Sequence, residues 1–284
     1  MMMRSLIVLL FMLCCVLPVL AQDEEDEKKL GWSNVADLGF VVTAGNSRSS
    51  SLAFDDKLTH AWKNAEFVLR AGALRINTTD DPFAVGTPDD FEVLEDLIRE
   101  LDTERYYVVG NYQRNITKRF FWIGGAGWDK DTNAGIENRT VFYGGVGNTW
   151  KDTKRTRFKT DYTVTFTKRV DEFPDSERPE KFSELRLGWD YSQKIATYSE
   201  FTSDFVFFGR VSDFGDNRFV TLNSVTTNMT DMFAFRFSLE FRYQSIPAFE
   251  EIDLETPEGV PVGDVLIRKK KLDTVVKFSF VVTL

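Results

Sequence analysis

The chain has almost no cysteine and almost no histidine. Cys14 and Cys15 are its two cysteines, and His60 is its one histidine. Small secreted domains normally rely on disulfides, and zinc sites are built from several Cys or His ligands. The composition therefore argues against a disulfide-stapled fold, and we predict no cofactor and no metal site.

A surplus of basic residues is also missing, and so are long apolar runs, apart from one at the N-terminus. The net charge is −9, which argues against nucleic acid as a partner. The apolar run Leu6–Leu20 follows Arg4 and ends at Ala21, before the acidic residues 23–27. This pattern is typical of a secretory signal cleaved after Ala21, and the run is short for a membrane helix.

Strict alternation of apolar and polar residues runs through the segment Phe233–Tyr243. Every odd position in it is a large apolar or aromatic residue, and the positions between include Arg236, Glu240 and Arg242. Successive side chains of a strand point to opposite faces, so this strand has one apolar and one charged face. The C-terminal segment Leu272–Leu284 repeats the pattern. Such faces fit either a soluble sheet on a core or a barrel with lipid outside and water inside.

About twelve segments of this kind are spaced evenly along the chain. Segments of about ten residues with a period of two indicate a transmembrane barrel, whereas a soluble β-sandwich would have fewer strands of this length. We therefore predict an all-β fold, a transmembrane up-and-down antiparallel β-barrel of about twelve strands in the bacterial outer membrane. The predicted strands are Val35–Ala44, Ser49–Trp62, Ala65–Arg75, Glu104–Arg114, Phe120–Asp129, Arg139–Trp150, Arg157–Lys168, Phe182–Ser192, Tyr198–Val211, Phe219–Asn228, Met232–Gln244 and Leu272–Leu284.

The connections alternate between short and long ones. Outer-membrane barrels keep their short turns in the periplasm, so both chain ends are predicted to face the periplasm. The long, extracellular loops are Ile76–Thr103, Arg169–Lys181 and Ser245–Lys271. In the first loop, apolar residues from Phe91 to Leu101 recur at helical spacing, which predicts a short helix capped by Asp89 or Asp90. The predicted division of the chain is a signal peptide (1–21), an acidic N-terminal periplasmic segment (22–34) and the outer-membrane β-barrel (35–284).

Charged residues on the polar faces are the candidate functional residues. A charge facing lipid at the membrane midplane costs about 2–4 kcal/mol, so the polar faces are predicted to line a lumen. The predicted lumen-lining residues are Asp55, Lys57, Glu66, Arg70, Lys159, Asp161, Glu184, Arg186, Asp190, Asp204, Arg236, Glu240, Arg242 and Lys277. Two interpretations stay open, a lumen closed by ion pairs and a narrow water-filled pore for small ions or solutes.

His60 is the first residue to consider for an enzyme. A lipid hydrolase of the outer membrane would pair it with a serine two residues on, and Trp62 stands there instead. We therefore predict no catalytic residue and interpret His60 as an aromatic at the membrane interface. An outer-membrane lipid hydrolase is the alternative function.

Two glycine-rich runs, Gly124–Gly127 and Gly144–Gly147, are a further candidate site. They lack the Lys-Ser/Thr pair or the helix of a phosphate-binding loop. An antiparallel register around Gly135 would place Gly125 opposite Gly145, and we predict a side-chain-free patch where a strand bends or a bulky neighbour packs.

Several short motifs carry a resemblance to a known family. They are Trp32 with Ala36–Gly39, Thr43–Ser47, Asp129–Asp131, Ala134–Ile136 with Arg139, and Gly144–Gly147 before Asp152. With these motifs the chain resembles the salt-induced outer-membrane protein family, also called domain of unknown function 481. The resemblance implies an outer-membrane β-barrel without an established activity, and a role in the envelope under osmotic or salt stress.

The predicted partners follow from the predicted location. An outer-membrane barrel contacts outer-membrane lipid and lipopolysaccharide. The barrel-assembly machinery would recognise the C-terminal segment, in which Phe278, Phe280 and Val282 share one phase. Small ions or solutes are the remaining predicted partners.

Overall fold

The computed structural model of the protein describes residues 30–44, 50–78, 81–88, 90–96 and 101–283. The predicted signal peptide lies outside these residues. In chain order the strands are β1 (Gly31–Ala44), β2 (Ser50–Ala61), β3 (Ala65–Thr78), β4 (Asp81–Thr87), β5 (Asp90–Asp96), β6 (Leu101–Asn115), β7 (Phe120–Asp131), β8 (Ile136–Asp152), β9 (Thr156–Asp171), β10 (Lys181–Lys194), β11 (Ser199–Arg210), β12 (Asp213–Asn228), β13 (Phe233–Gln244), β14 (Phe249–Glu255), β15 (Pro261–Arg268) and β16 (Leu272–Thr283). Within the described part of the chain, no helix has the length and apolarity needed to cross a membrane.

Twelve of these strands form one closed antiparallel barrel, as predicted. The ring closes where β1 pairs with β16, with Leu38 opposite Phe280. All twelve predicted strands are present, and the largest difference is at β12, which begins at Asp213 rather than at Phe219. β1 begins at Gly31, so it includes residues 31–34, which the sequence analysis assigned to the acidic segment. We call the end of the barrel where β1 begins the turn end, and the opposite end the loop end.

The barrel has its apolar side chains outside and its polar side chains inside. On β9, Val164 and Phe166 are 42% and 63% exposed, whereas Thr165 and Thr167 are buried. On β13, Phe235 is exposed and Ser238 is buried. A water-soluble protein shows the reverse distribution, so this surface suits a lipid environment.

The loops that follow β3 and β13 contribute four strands to a second sheet, in the order β15, β14, β4 and β5. β14 and β4 come from different loops and pair in parallel, with Leu254 opposite Ala84. The second sheet has its own small core, made of Ala84, Ile252, Leu254 and Val265 with Phe91 and Ile267 packed against it. Apolar burial therefore joins two loops that are far apart in sequence.

The prediction of an extracellular helix is wrong. Asp90–Asp96 is strand β5, which pairs with β4 and places Phe91 opposite Gly86. Asp89 and residues 97–100 lie outside the described residues. A helix of this length is marginal on its own, and the same short apolar pattern suits a strand once a partner edge is present. Pairing with β4 decided the outcome.

The glycine-rich runs lie on β7 and β8, but their predicted register is wrong by two residues. Gly125 lies opposite Tyr143, and Gly124 lies opposite Gly144. A Cβ atom added to Gly125 would lie 2.5 Å from the phenol oxygen of Tyr143. Gly125 therefore leaves room for the Tyr143 side chain inside the barrel.

Candidate functional site

The barrel encloses a cavity of about 440 Å³. Residues from every barrel strand except β9 line it. Its basic residues are Arg70, Arg105, Arg139, Arg186, Arg218, Arg236, Arg242 and Lys277, and its acidic residues are Asp37, Asp55, Asp129, Asp131, Asp204, Glu240 and Asp273. The wall thus carries fixed charges of both signs on all sides.

The structure places the predicted lumen residues in three groups. On the cavity wall lie Asp55, Arg70, Arg186, Asp204, Arg236, Glu240, Arg242 and Lys277. Beside the wall, Asp161 and Glu184 form ion pairs with Arg186 and Arg218. The remaining four share a face with wall residues: Lys57 lies opposite Arg70, Asp190 lies opposite Asp204 and Lys159, and Glu66 lies four positions before Arg70 on β3.

Four charged side chains meet across the lumen, and we call them the cross-lumen bridge: Arg105, Asp131, Glu240 and Arg242. Arg242 Nη1 donates to Asp131 Oδ2 over 2.5 Å, and Arg105 Nη1 donates to Glu240 Oε1 over 3.3 Å. β13, which carries Glu240 and Arg242, lies six strands from β7 in either direction around the ring. The bridge therefore links opposite walls of the barrel near its loop end.

Each acid of the bridge contacts both of its arginines. Arg105 Nε lies 3.7 Å from Asp131 Oδ2, and Arg242 Nε donates to Glu240. The Asp131 side chain is 5% exposed, and its Oδ1 also accepts the backbone N–H of Ala134 in the 310 turn Thr132–Ala134. A carboxylate that caps a turn in this way is held in one position. The bridge thus has a rigid anchor on β7.

Alternation of apolar and polar residues predicts Glu240 and Arg242 as lumen residues, but it does not predict Arg105 and Asp131. Apolar residues occur on both faces of β6 and β7, for example Val108 and Val109, so alternation is weak there. The sequence does contain one signal of a polar face. Arg105 and Tyr107 lie two residues apart on β6 and therefore share a face, and Asp131, which pairs with Arg105, lies on that same face.

Other charged pairs run along the wall and do not cross the lumen. Arg236 Nη1 donates to Asp37 Oδ2 over 2.5 Å, and its Nε donates to Thr226 Oγ1 over 2.9 Å. The Tyr107 hydroxyl donates to Asp55. Burial of such groups is tolerated because each is paired and hydrogen-bonded.

A second set of ion pairs fixes the loops at the loop end, and we call it the mouth clamp: Asp171, Asp175, Arg178 and Arg268. Arg178 donates to Asp171 over 2.8 and 3.0 Å and to the backbone oxygen of Ile246 over 2.6 Å. Arg268 pairs with Asp175 and donates to the backbone oxygen of Pro247 over 2.7 Å. The loop between β9 and β10 is therefore tied to the segment between β13 and β14.

Asp175 has a perturbed pKa in this clamp. Burial alone would raise the pKa of its carboxyl, but hydrogen bonds from Arg268 and from the backbone N–H of Glu177 outweigh that effect. The pKa of Asp175 therefore lies below its usual value, and the carboxylate is the favoured form.

His60 lies in a row of aromatic rings at the turn end. Its ring centroid is 4.4 Å from that of Trp32 and 4.2 Å from that of Trp62. Trp62 in turn contacts Tyr112, and Tyr112 contacts Trp122. This row has the composition of an interfacial aromatic girdle. The lipid hydrolase stays an untested alternative that the surroundings of His60 do not favour. Among the described residues, no group of three or more His, Cys, Asp or Glu is arranged to hold a metal ion.

Solved outer-membrane barrels have a similar fold. The NanC porin has 12% sequence identity and a TM-score of 0.51, over 88% of this chain and 100% of that chain. The KdgM porin in complex with disordered oligogalacturonate has 6% identity and a TM-score of 0.44, over 87% and 98%. The translocator domain of autotransporter NalP from Neisseria meningitidis has 8% identity and a TM-score of 0.46, over 90% of each chain. At these identities the likeness concerns the fold alone.

A protein-family model also matches this chain over most of its length. None of the curated proteins compared with the chain matches its sequence. A family model described as "Protein of unknown function, DUF481" matches residues 36–260, a range that includes most of the barrel strands. The predicted resemblance to domain of unknown function 481 is confirmed, while the salt-induced name stays a prediction. The chain belongs to the DUF481 family of proteins of unknown function.

Proposed function

We propose that the protein is a narrow, non-enzymatic pore of the bacterial outer membrane for small ions or solutes. Its turn end would face the periplasm and its loop end the outside. The observation that carries the proposal is a charged cavity inside a barrel whose outer surface is apolar. Its volume of about 440 Å³ lies within the range of about 300–1,000 Å³ found for small-molecule sites.

The cross-lumen bridge is the proposed constriction of this pore. Its side chains reach from opposite walls, so a solute must pass beside them or displace them. Removal of one partner from a buried ion pair costs about 3–5 kcal/mol, because the other charge is left uncompensated. A bridge held this firmly would keep the conductance of the pore low.

The test is single-channel conductance of the refolded protein in planar bilayers. The informative variant is Glu240→Ala with Arg242→Ala, because it removes the β13 half of the bridge and leaves Arg105 and Asp131 to pair with each other. We expect small, salt-dependent current steps from the native protein and larger steps from the double variant, since the lumen is wider.

The matched control is Arg155→Ala. Arg155 is exposed on the turn between β8 and β9 and lies outside the lumen, so its removal should leave the steps unchanged. Two results would count against the bridge as a constriction in an open pore. One is the absence of current from a correctly folded native protein, and the other is equal current steps from the native protein and the double variant.

The remaining roles stay predictions of this proposal. Contact with lipopolysaccharide and with the barrel-assembly machinery follows from an outer-membrane location. The role under osmotic or salt stress comes only from the family resemblance. Growth of a deletion strain at high and low osmolarity would test that role independently of conductance.

A further inference from the structure

Arg169 is a buried cation whose donors are not all used. Its side chain is 6% exposed, and in the described part of the chain Nε and Nη2 have no hydrogen-bond partner. Asp171 Oδ1 lies 3.1 Å from Nε, yet both oxygens of Asp171 already accept hydrogen bonds from Arg178. The two groups attract each other as charges, but the N–H groups at Nε and Nη2 of Arg169 have no hydrogen-bond acceptor among the described residues.

Arg169 lies on the inner face of β9 at the loop end, beside the cavity wall and not on it. It lies directly opposite Arg139 in the pairing of β9 with β8, and Arg139 lines the cavity. Its neighbour Val170, on the other face of the strand, is 37% exposed towards the outside of the barrel. The guanidinium of Arg169 lies 4.9 Å from the centroid of the Phe182 ring, which holds it on the inner face. An occupant of this site would therefore come from the lumen and not from a lipid headgroup.

Positive charge is concentrated around Arg169. Like charges directly opposite each other on paired strands destabilise a sheet, and Arg139 and Arg169 are such a pair. The charges of Arg178 and Arg218 also act on Arg169. The nearby acids are each engaged by another arginine: Asp129 by Arg139, Asp171 by Arg178, Glu184 by Arg218 and Asp216 by Arg210.

Glu184, one of these acids, is held by four hydrogen bonds. Glu184 accepts from Arg218 over 3.1 and 2.9 Å and from the hydroxyls of Thr165 and Thr167 over 3.1 and 3.0 Å. Both oxygens of Glu184 are therefore already engaged, and Arg169 is not among these donors. The two oxygens of Asp129 are likewise engaged, because they accept from Arg139 over 2.9 and 2.8 Å.

We infer that Arg169, with Arg139 and Arg218 beside it, binds the carboxylate or phosphate group of a dissolved solute in the lumen. An anion with two or more oxygens fills several guanidinium donors at once, in the planar geometry that arginine favours. It also relieves the repulsion between Arg139 and Arg169. This inference deepens the proposed function, because it names anions as the solute class, and it depends on that function only for the route of the solute.

The test is equilibrium binding of inorganic phosphate to the folded protein in detergent, measured by calorimetry. We expect native protein to bind phosphate and Arg169→Gln to bind it about tenfold more weakly or worse, because a charged donor pair is lost. Arg169→Lys should lie between them, since it keeps the charge and loses the planar fork. Acetate should compete with phosphate, and choline should not.

The matched control is Arg157→Gln, on the same strand and the same inner face but at the turn end, where Arg157 is paired with Asp152. It should leave phosphate affinity unchanged. If Arg169→Gln does not fold, Arg139→Gln must show the same loss. Absence of phosphate binding by the native protein, or equal affinity in the native protein and the folded variants at Arg169 and Arg139, would overturn the inference.

Binding and conductance separate this inference from the proposed pore. Calorimetry in detergent does not require an open lumen. If the protein binds phosphate but passes no current in bilayers, the anion site is supported and the pore is rejected. If the protein gives current steps but binds no phosphate, the pore is supported and the anion site at Arg169 is rejected.

Discussion

The barrel and the second sheet are both β-structures, yet they bury opposite kinds of side chain. In the barrel, Thr165 is buried and its neighbour Phe166 is exposed. In the second sheet, Leu254 is buried and its neighbour Asp253 is exposed. The period of two is the same in both, but the surroundings differ: lipid would cover the outside of the barrel, whereas water would surround the second sheet.

This difference shows that the two regions are stabilised by different interactions. The barrel gains from a closed ring of backbone hydrogen bonds and from paired charges inside, since no strand edge is left open. The second sheet is open at β15 and β5, and it depends on the burial of a few apolar side chains. Substitutions in the two regions should therefore act separately.

The largest effect is expected from Leu254→Ala in the second sheet. Loss of a fully buried leucine costs about 2–5 kcal/mol, which is more than a sheet with so small a core can bear. Hydrogen exchange in β14 and β15 should become fast, while the barrel keeps its folded, heat-modifiable migration on gels. Leu266→Ala, at an exposed position of β15, is the control. Loss of protection in the barrel strands would show that the two regions are coupled.

A smaller but comparable effect is expected from Phe237→Arg on the outer face of the barrel. A cationic side chain on the lipid face destabilises a barrel by about 2–4 kcal/mol near the midplane. Urea titration of the protein folded in liposomes would measure this loss, and Phe237→Leu should show little change. Full stability of Phe237→Arg would mean that this face does not contact lipid.

The smallest effect is expected from pH, at the mouth clamp that joins the loops around the second sheet. The pKa of Asp175 is lowered in the folded protein, so its contribution to stability is present above the pKa of the unfolded chain, about 3.9. That contribution is lost as the pH falls through the lower, folded-state pKa. Protease cleavage of the loop between β9 and β10 should rise in this acidic window. Asp175→Asn should show raised cleavage already at neutral pH, and its cleavage should not rise further in the acidic window. If the variant kept the pH profile of the native protein, Asp175 would not be the group responsible.

The barrel strands and the second sheet were not equally predictable from the sequence. The barrel strands were predictable because long alternating segments such as Phe233–Tyr243 carry the signal within themselves. The second sheet was not predictable, because β4 and β14 are short, come from different loops and become strands only by pairing with each other. The wrong helix prediction at Asp90–Asp96 has the same cause.

The candidate site, too, was only partly predictable from the sequence. Alternation places Glu240 and Arg242 on a polar face, and it predicts a charged lumen. Alternation does not predict that Arg242 contacts Asp131 on the opposite wall, or that Arg139 lies opposite Arg169. A shift of two residues in register, as between Gly125 and Tyr143, leaves every face unchanged and still alters which side chains are neighbours.

The sequence by itself determined the number of barrel strands, their faces and the chemical character of the interior, because a period of two is a local property of the chain. The tertiary structure alone decided the cross-lumen bridge, the mouth clamp and the cluster around Arg169. Those contacts depend on the closure of the ring and on the stagger between strands, which set the distance between residues such as Arg105 and Glu240 that lie 135 positions apart in sequence.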